Sequence, residues 1–249
     1  MTIRFLILIL IGTTPFIGFS QCIDREKITY GGDWDFVPYI FHCPTYSFEY
    51  GGDTSSTWSI LDPTELKKIE TWFIPLKNKV DQKLREFSGD KFFEKVKFSS
   101  VEIVYPDSLQ KMLDSGRIDV EKRNCKAKYY FYYEFLPDTL ATWHFGIAVD
   151  QQEKIISPFT FPKANEYVSI DTNIDYCELI NIARRKEPNI DPIEEIKLEY
   201  DPKVKRFYWL ISQEIQSVKE GRNEFNQVGI DAADKSKVTA FKGSAFIQF

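Results

Sequence analysis

The segment from Tyr129 to Val149 constrains the fold most strongly, because two runs of alternating apolar residues flank one short turn at residues 136–139. Alternation with a period of two is typical of β-strands that bury one face. If the turn pairs Phe135 with Ala141, the large apolar residues collect on one side. This register pairs Tyr133 with Trp143, Phe131 with Phe145 and Tyr129 with Ile147. A slip of one residue would scatter these side chains, so the sequence predicts an antiparallel hairpin with one buried face.

The opposite face of this hairpin provides the candidate ligand-binding residues. Tyr130, Tyr132 and His144 fall on it, and the same register places Tyr132 across from His144 and Tyr130 across from Gly146. Aromatic rings with polar tips on an open sheet face suit recognition of a protein, a peptide or a glycan. The alternative is that another element, such as the aromatic N-terminal segment, covers this face.

A helix is predicted from Asp62 to about Phe87. Asp62 suits the N-cap and Pro63 the first helical position. An apolar stripe at spacings of three and four follows, formed by Leu66, Ile69, Phe73, Leu76, Val80 and Leu84. Pro75 lies inside the stripe and predicts a kink or a break there.

The second half of the chain repeats this order of a helix followed by strands. A helix capped by Asn173 or Asp175 runs to Lys186, and four antiparallel strands follow it. We therefore expect an α+β fold with a β-rich segment at 21–60 and two helix-plus-antiparallel-sheet units, at 61–161 and 162–249. In the first unit, Ile155, Phe159 and Phe161 predict an edge strand. Residues 145–157 and 228–240 align without gaps, which leaves a structural duplication open.

Residues 1–20 have the pattern of a signal peptide. Arg4 precedes a short apolar run, and Gly18 and Ser20 have the spacing of a cleavage site before Gln21. Lipidation at Cys22 is not favoured, because the preceding Gln21 is not small. We expect export to the periplasm or the exterior, with no transmembrane segment in the mature chain.

Export would allow the four cysteines to form disulfides, because disulfides form in oxidising compartments. Four cysteines allow three pairings, and proximity along the chain favours Cys22–Cys43 and Cys125–Cys177. Free buried thiols are the alternative.

The stretch from Tyr176 to Ala240 resembles the PepSY family of small exported modules. Ile182-Ala183 on a helix carry this resemblance, together with the strand at 196–200 and Val228-Gly229-Ile230-Asp231-Ala232. Residues 233–236 stand where the family has a glycine-containing turn, and they include no glycine. The resemblance implies a non-catalytic module with an inhibitory or protein-binding role.

Charge and motif content narrow the classes of function. The formal net charge is −5 and no basic block occurs, so nucleic acid is not expected as a partner. The chain has two histidines and no motif of a nucleotide-binding, zinc-protease or serine-hydrolase site, and Asp33, Asp35 and Asp53 lack the spacing of a calcium loop. We expect no catalytic residues, no metal and no cofactor. The favoured function is a non-catalytic binding or inhibitory module of the cell envelope or exterior; the alternatives are a hydrolase using carboxylates and His144, and an envelope structural component.

Overall fold

The protein combines helices with mainly antiparallel strands and has the expected α+β class. The computed structural model describes residues 22–32, 66–103, 127–138, 140–170, 174–213, 216–217 and 222–246. After a short 3-10 helix at Arg25–Lys27, the elements in chain order are β1 (Tyr30–Gly32), α1 (Leu66–Ser88), α2 (Asp90–Phe93), β2 (Val96–Ile103), β3 (Ala127–Phe135), β4 (Thr142–Asp150), α3 (Tyr176–Lys186), β5 (Ile193–Asp201), β6 (Arg206–Gln213), β7 (Gln216–Ser217), β8 (Arg222–Asp231) and β9 (Val238–Phe246).

The first sheet has the strand order β1-β4-β3-β2, and α1 packs on its core face. The predicted stripe of α1 is buried from Ile69 to Leu84, and the Phe73 ring stacks on Phe131 of β3 with 5.9 Å between ring centroids. Of the two outcomes predicted at Pro75, the break is wrong, because α1 runs through this residue without interruption, and the kink stays a prediction. The buried residues on both sides of Pro75 stabilise the helix and offset the one missing backbone hydrogen bond.

The β3–β4 hairpin keeps the predicted faces but not the predicted register. Phe135 pairs with Trp143 instead of Ala141, so every pair is shifted by two residues. The Asp138 carboxylate accepts the backbone N–H groups of Leu140 and Ala141, at 2.9 and 2.7 Å, which holds Ala141 in the turn. Because side chains alternate with a period of two, this shift leaves each residue on its expected face.

The second sheet has the order β5-β6-β8-β9, with the short β7 also paired to β8. The helix before it is capped by Asp175, whose carboxylate accepts the Glu178 N–H at 3.1 Å. The helix packs on the core face of the sheet, where the Tyr176 and Trp209 ring centroids lie 5.7 Å apart. This unit therefore has one helix on an antiparallel meander.

Residues 155–161 do not form the predicted edge strand of the first unit, because a single bridge joins Val149 to Ile155. Pro158 has no N–H to continue a ladder. The structural duplication stays a prediction. Asp150 and Asp231 each accept two backbone N–H groups in a turn, but the ungapped alignment matches Asp150 with Ala233.

The two sheets meet at a seam formed by residues 28–32. Tyr30–Gly32 pairs in parallel with β4, while Ile28 bridges to Ile196 of β5 and the Thr29 N–H donates to the Ile196 carbonyl at 2.9 Å. Behind the seam, Phe135 of the first sheet stacks on Phe207 of the second with 5.1 Å between centroids. One apolar core therefore runs through both sheets.

A disulfide between Cys22 and Cys177 anchors this N-terminal segment to α3. The predicted pairings Cys22–Cys43 and Cys125–Cys177 are therefore wrong. Proximity along the chain was a poor guide, because the seam brings residues separated by 155 positions together. Cys43 and Cys125 lie outside the described residues, as do the leader at 1–20, most of the segment at 21–60 and the predicted helix cap at 62–65. In the described part of the chain, no helix has the length and apolar character needed to span a membrane.

Candidate functional site

The structure places Tyr130, Tyr132 and His144 on the sheet face opposite the core, as the alternation predicts. Tyr132 lies across from Gly146 instead of His144, and Tyr130 lies across from Ala148. All three side chains are buried, with exposed fractions of 0%, 7% and 8%. They therefore do not form the open aromatic face that one of the two sequence interpretations required.

Tyr30 covers His144 and gives this face its exposed aromatic ring. The two rings stack with their centroids 4.8 Å apart, and the Tyr30 side chain is 66% exposed. Tyr30 belongs to the N-terminal segment, so covering by that segment, the second sequence interpretation, holds at His144. Gly31-Gly32-Asp33 predicts a turn, because glycine accepts a positive φ and aspartate bonds its own backbone. This prediction is wrong for Tyr30–Gly32, which is a strand.

The two glycines of β1 explain why a strand forms there. A Cβ built on Gly31 would lie 1.5 Å from the Leu198 carbonyl oxygen, and one on Gly32 would lie 2.0 Å from the His144 oxygen. Gly32 also has a φ of 76°, which a residue with a side chain rarely adopts. Gly-Gly here signals close backbone approach on both sides of β1.

His144 belongs to a row of polar residues that crosses the first sheet. Glu134 is the partner of His144 across β3 and β4, and Lys97 is the partner of Glu134 across β2 and β3. Partners of this kind share a face, so Lys97, Glu134, His144 and the overlying Tyr30 form one surface feature, here called the polar row. The Ser99 hydroxyl donates to Glu134 Oε1 at 3.1 Å and fixes that carboxylate.

The electrostatics of the row follow from burial. Burial lowers the pKa of His144 below its usual value, and the neighbouring Glu134 carboxylate opposes this shift. The imidazole is therefore mainly neutral at pH 7 and acts as a flat support for the Tyr30 ring.

The row contains a hydroxyl, a carboxylate and an imidazole, but their order does not match the catalytic triad of a serine hydrolase. A nucleophilic serine donates its hydroxyl to a histidine base, which a carboxylate orients in turn. Ser99 instead donates to Glu134. Among the described residues, no three His, Cys, Asp or Glu side chains are grouped as metal ligands would be. The arrangement presents hydrogen-bonding groups around an exposed ring.

A second concave feature lies beside the disulfide. This cleft of about 330 Å³ is lined by the N-terminal segment, α3 and the start of β5. Three of its charged side chains already have partners: Arg184 donates to both Asp191 oxygens at 2.9 and 3.0 Å, and Lys27 Nζ donates to the Ile193 carbonyl at 2.7 Å. The cleft is therefore a weaker candidate than the polar row.

Sequence reasoning missed Tyr30, Glu134 and Lys97 as members of a site. Glu134 carried a usable signal, because it is an acidic residue on the same strand face as Tyr130 and Tyr132. Tyr30 carried none, since its contact with β4 spans more than a hundred residues.

The fold and the site together describe an α+β protein that presents the exposed Tyr30 ring on the polar face of its first sheet. In comparisons with protein-family models, curated proteins and solved structures, nothing matches the chain. The resemblance of residues 176–240 to the PepSY family stays a prediction.

Proposed function

We propose that this chain is an exported, non-catalytic binding protein of the cell envelope or exterior, and that the polar row recognises its ligand. The observation that carries the proposal is the exposed Tyr30 ring stacked on the buried His144 ring. An aromatic side chain that is two-thirds exposed but held by a strand and a ring stack is pre-organised for contact with a second flat group.

The neighbours of Tyr30 indicate the chemistry of the ligand. Glu134 offers carboxylate oxygens and Lys97 is exposed and offers an ammonium group, so both kinds of hydrogen-bonding partner lie along one line of the sheet. A ligand with a flat apolar face and polar groups at its rim fits this pattern. Sugar rings and proline or aromatic side chains of peptides have this character, so a protein, a peptide or a glycan is the expected partner.

Export is supported by two features of the chain. The first twenty residues have the order of a signal peptide, and the disulfide between Cys22 and Cys177 suits an oxidising compartment. N-terminal sequencing of protein taken from its source cells should begin near Gln21. Protein that retains Met1 would contradict export with cleavage.

Binding is tested with a printed glycan array and a displayed random-peptide library, using the purified protein and two matched variants. Tyr30→Ala removes the exposed ring of the polar row. Trp72→Ala removes another exposed ring, on α1, which is 38% exposed and distant in sequence from the row. A ligand of the row should bind about tenfold more weakly to Tyr30→Ala and unchanged to Trp72→Ala.

Three results would contradict the proposal. The first is that the protein binds neither the glycan array nor the peptide library. The second is an equal loss of binding in Tyr30→Ala and Trp72→Ala. The third is turnover of a bound glycan or peptide that disappears in Glu134→Gln, which would favour the hydrolase alternative.

A further inference from the structure

The last strand, β9, forms an open edge of the second sheet. It pairs with β8 from Val238 to Phe246 without a register shift. In the sheet order it has no neighbour on its other side among the strands that the structure describes. An edge of this length offers a row of backbone groups for pairing with another chain.

The phase of the β8–β9 ladder shows which residues offer these groups. The Asp231 N–H donates to the Lys237 carbonyl at 3.0 Å, so odd-numbered residues of β9 bond to β8. The N–H and C=O groups of the even-numbered residues therefore point outward. These residues are Val238, Ala240, Lys242, Ser244 and Phe246. No described residue accepts from or donates to them on that side.

The side chains of β9 do little to protect this edge. The strand contains no proline and no bulge, and its only charged residue is Lys242. Phe241 lies on the face away from the core, beside Gly229, and is 45% exposed. Edge strands that avoid association commonly carry prolines, bulges or several charges. β9 therefore has the features of a pairing strand.

We propose that β9 pairs antiparallel with β9 of a second copy of this chain, about a two-fold axis at Phe241. In this register Ala240 pairs with Lys242 of the partner subunit, and Val238 pairs with Ser244 of the partner subunit. All four of these residues present outward backbone groups, so each pair exchanges two hydrogen bonds. The two Phe241 side chains face each other at a site without backbone hydrogen bonds, where cross-strand side chains lie closest. The two four-stranded meanders then form one continuous sheet.

The side chains favour this register and this occupant. Pairing centred on Lys242 would place two ammonium groups directly opposite each other, which is destabilising. Pairing centred on Phe241 places each lysine opposite an alanine and covers the exposed ring with a matching ring. A two-fold interface uses the same patch twice, so one strand that fits itself is sufficient.

The first experiment measures mass in solution by sedimentation at increasing concentration. The interface is confined to a strand edge, so we expect a weak dimer that forms between about 1 µM and 0.5 mM. Ala240→Pro removes an outward N–H without touching the β8 ladder, and Phe241→Lys places two cations at the axis. Both variants should keep the wild-type circular dichroism and urea midpoint but stay monomeric. The matched control Val204→Lys changes an exposed apolar residue (53% exposed) in the β5–β6 turn, and it should dimerise like wild type.

A cysteine pair tests the register independently of dimer strength. In a Cys43→Ser, Cys125→Ser background, Phe241→Cys should form a dimer linked through residue 241 under mild oxidation. Thr239→Cys should not, because residue 239 lies opposite Gly243 of the partner subunit. A wild-type protein that stays monomeric to 0.5 mM overturns the proposal. So does a dimer that survives both β9 variants, or equal crosslinking through positions 239 and 241.

Discussion

Replacing Gly31 with alanine is the sharpest test of the seam between the two sheets. The new Cβ would lie 1.5 Å from the Leu198 carbonyl oxygen, and a backbone atom cannot rotate away as a side chain can. Relief requires β1 to move away from β5. That movement breaks the hydrogen bond from the Thr29 N–H to Ile196 and the one from the Gly32 N–H to the Glu199 carboxylate, both 2.9 Å long.

The expected loss follows from these two bonds. A neutral hydrogen bond contributes about 1 kcal/mol and one to a charged group about 2 kcal/mol, so Gly31→Ala should lower the free energy of unfolding by about 3–4 kcal/mol with some residual strain. This is a large share of the stability of a typical domain, roughly 5–15 kcal/mol. The loss in the free energy of unfolding is measured by urea unfolding followed by circular dichroism.

Gly229→Ala is the matched control. Gly229 also lies in a strand, but a Cβ there would be 3.6 Å from the Phe241 ring, an ordinary contact distance. Its free energy of unfolding should stay within about 0.5 kcal/mol of wild type. Equal midpoints for Gly31→Ala and Gly229→Ala would refute the close approach of β1 to β5.

Three further predictions concern single features of the fold. Pro75→Ala should raise the unfolding free energy by about 1–3 kcal/mol, because it restores an N–H inside α1 at an exposed position; a lower melting temperature in calorimetry would contradict this. Removal of the disulfide by Cys22→Ser, by Cys177→Ser or by both together should lower the free energy of unfolding by about the same amount. The loop spans 155 positions, so this loss is at most about 5 kcal/mol. A double variant that is clearly less stable than either single variant would refute the pairing. Because burial lowers the pKa of His144, the imidazole binds a proton more readily in the unfolded chain than in the folded protein, so the free energy of unfolding should fall as the pH drops below 6.5. His144→Gln should flatten this part of the plot of stability against pH. An unchanged slope would contradict the buried imidazole.

Local periodicity was sufficient to predict the faces of the central elements. The stripe of α1 and the buried side of the β3–β4 hairpin follow from spacings within one element. The hairpin register was not predictable to the same degree, because a period of two cannot distinguish registers that differ by two residues. The Asp138 carboxylate sets the register, because it holds Leu140 and Ala141 in the turn.

The candidate site was less predictable because it depends on contacts between distant parts of the chain. His144 was identified from alternation within β4, but Tyr30 reaches it only through the parallel pairing of β1 with β4. Parallel pairing leaves no hairpin turn to recognise. The disulfide depends on the same docking, since Cys22 meets Cys177 only when the N-terminal segment lies along β5.

The entropy cost of ordering the N-terminal segment explains why the docking of β1 is coupled to the disulfide. Fixing the backbone of each residue in the segment 22–32 costs about 1–2 kcal/mol, and its two glycines cost more than other residues. A three-residue strand with a few seam hydrogen bonds, each contributing about 1 kcal/mol, offsets only part of this cost. The bond from Cys22 to Cys177 reduces the freedom that the segment has in the unfolded chain, so less entropy is lost when it docks. The stacking of Tyr30 on His144 therefore depends on a covalent link at the far end of the same segment.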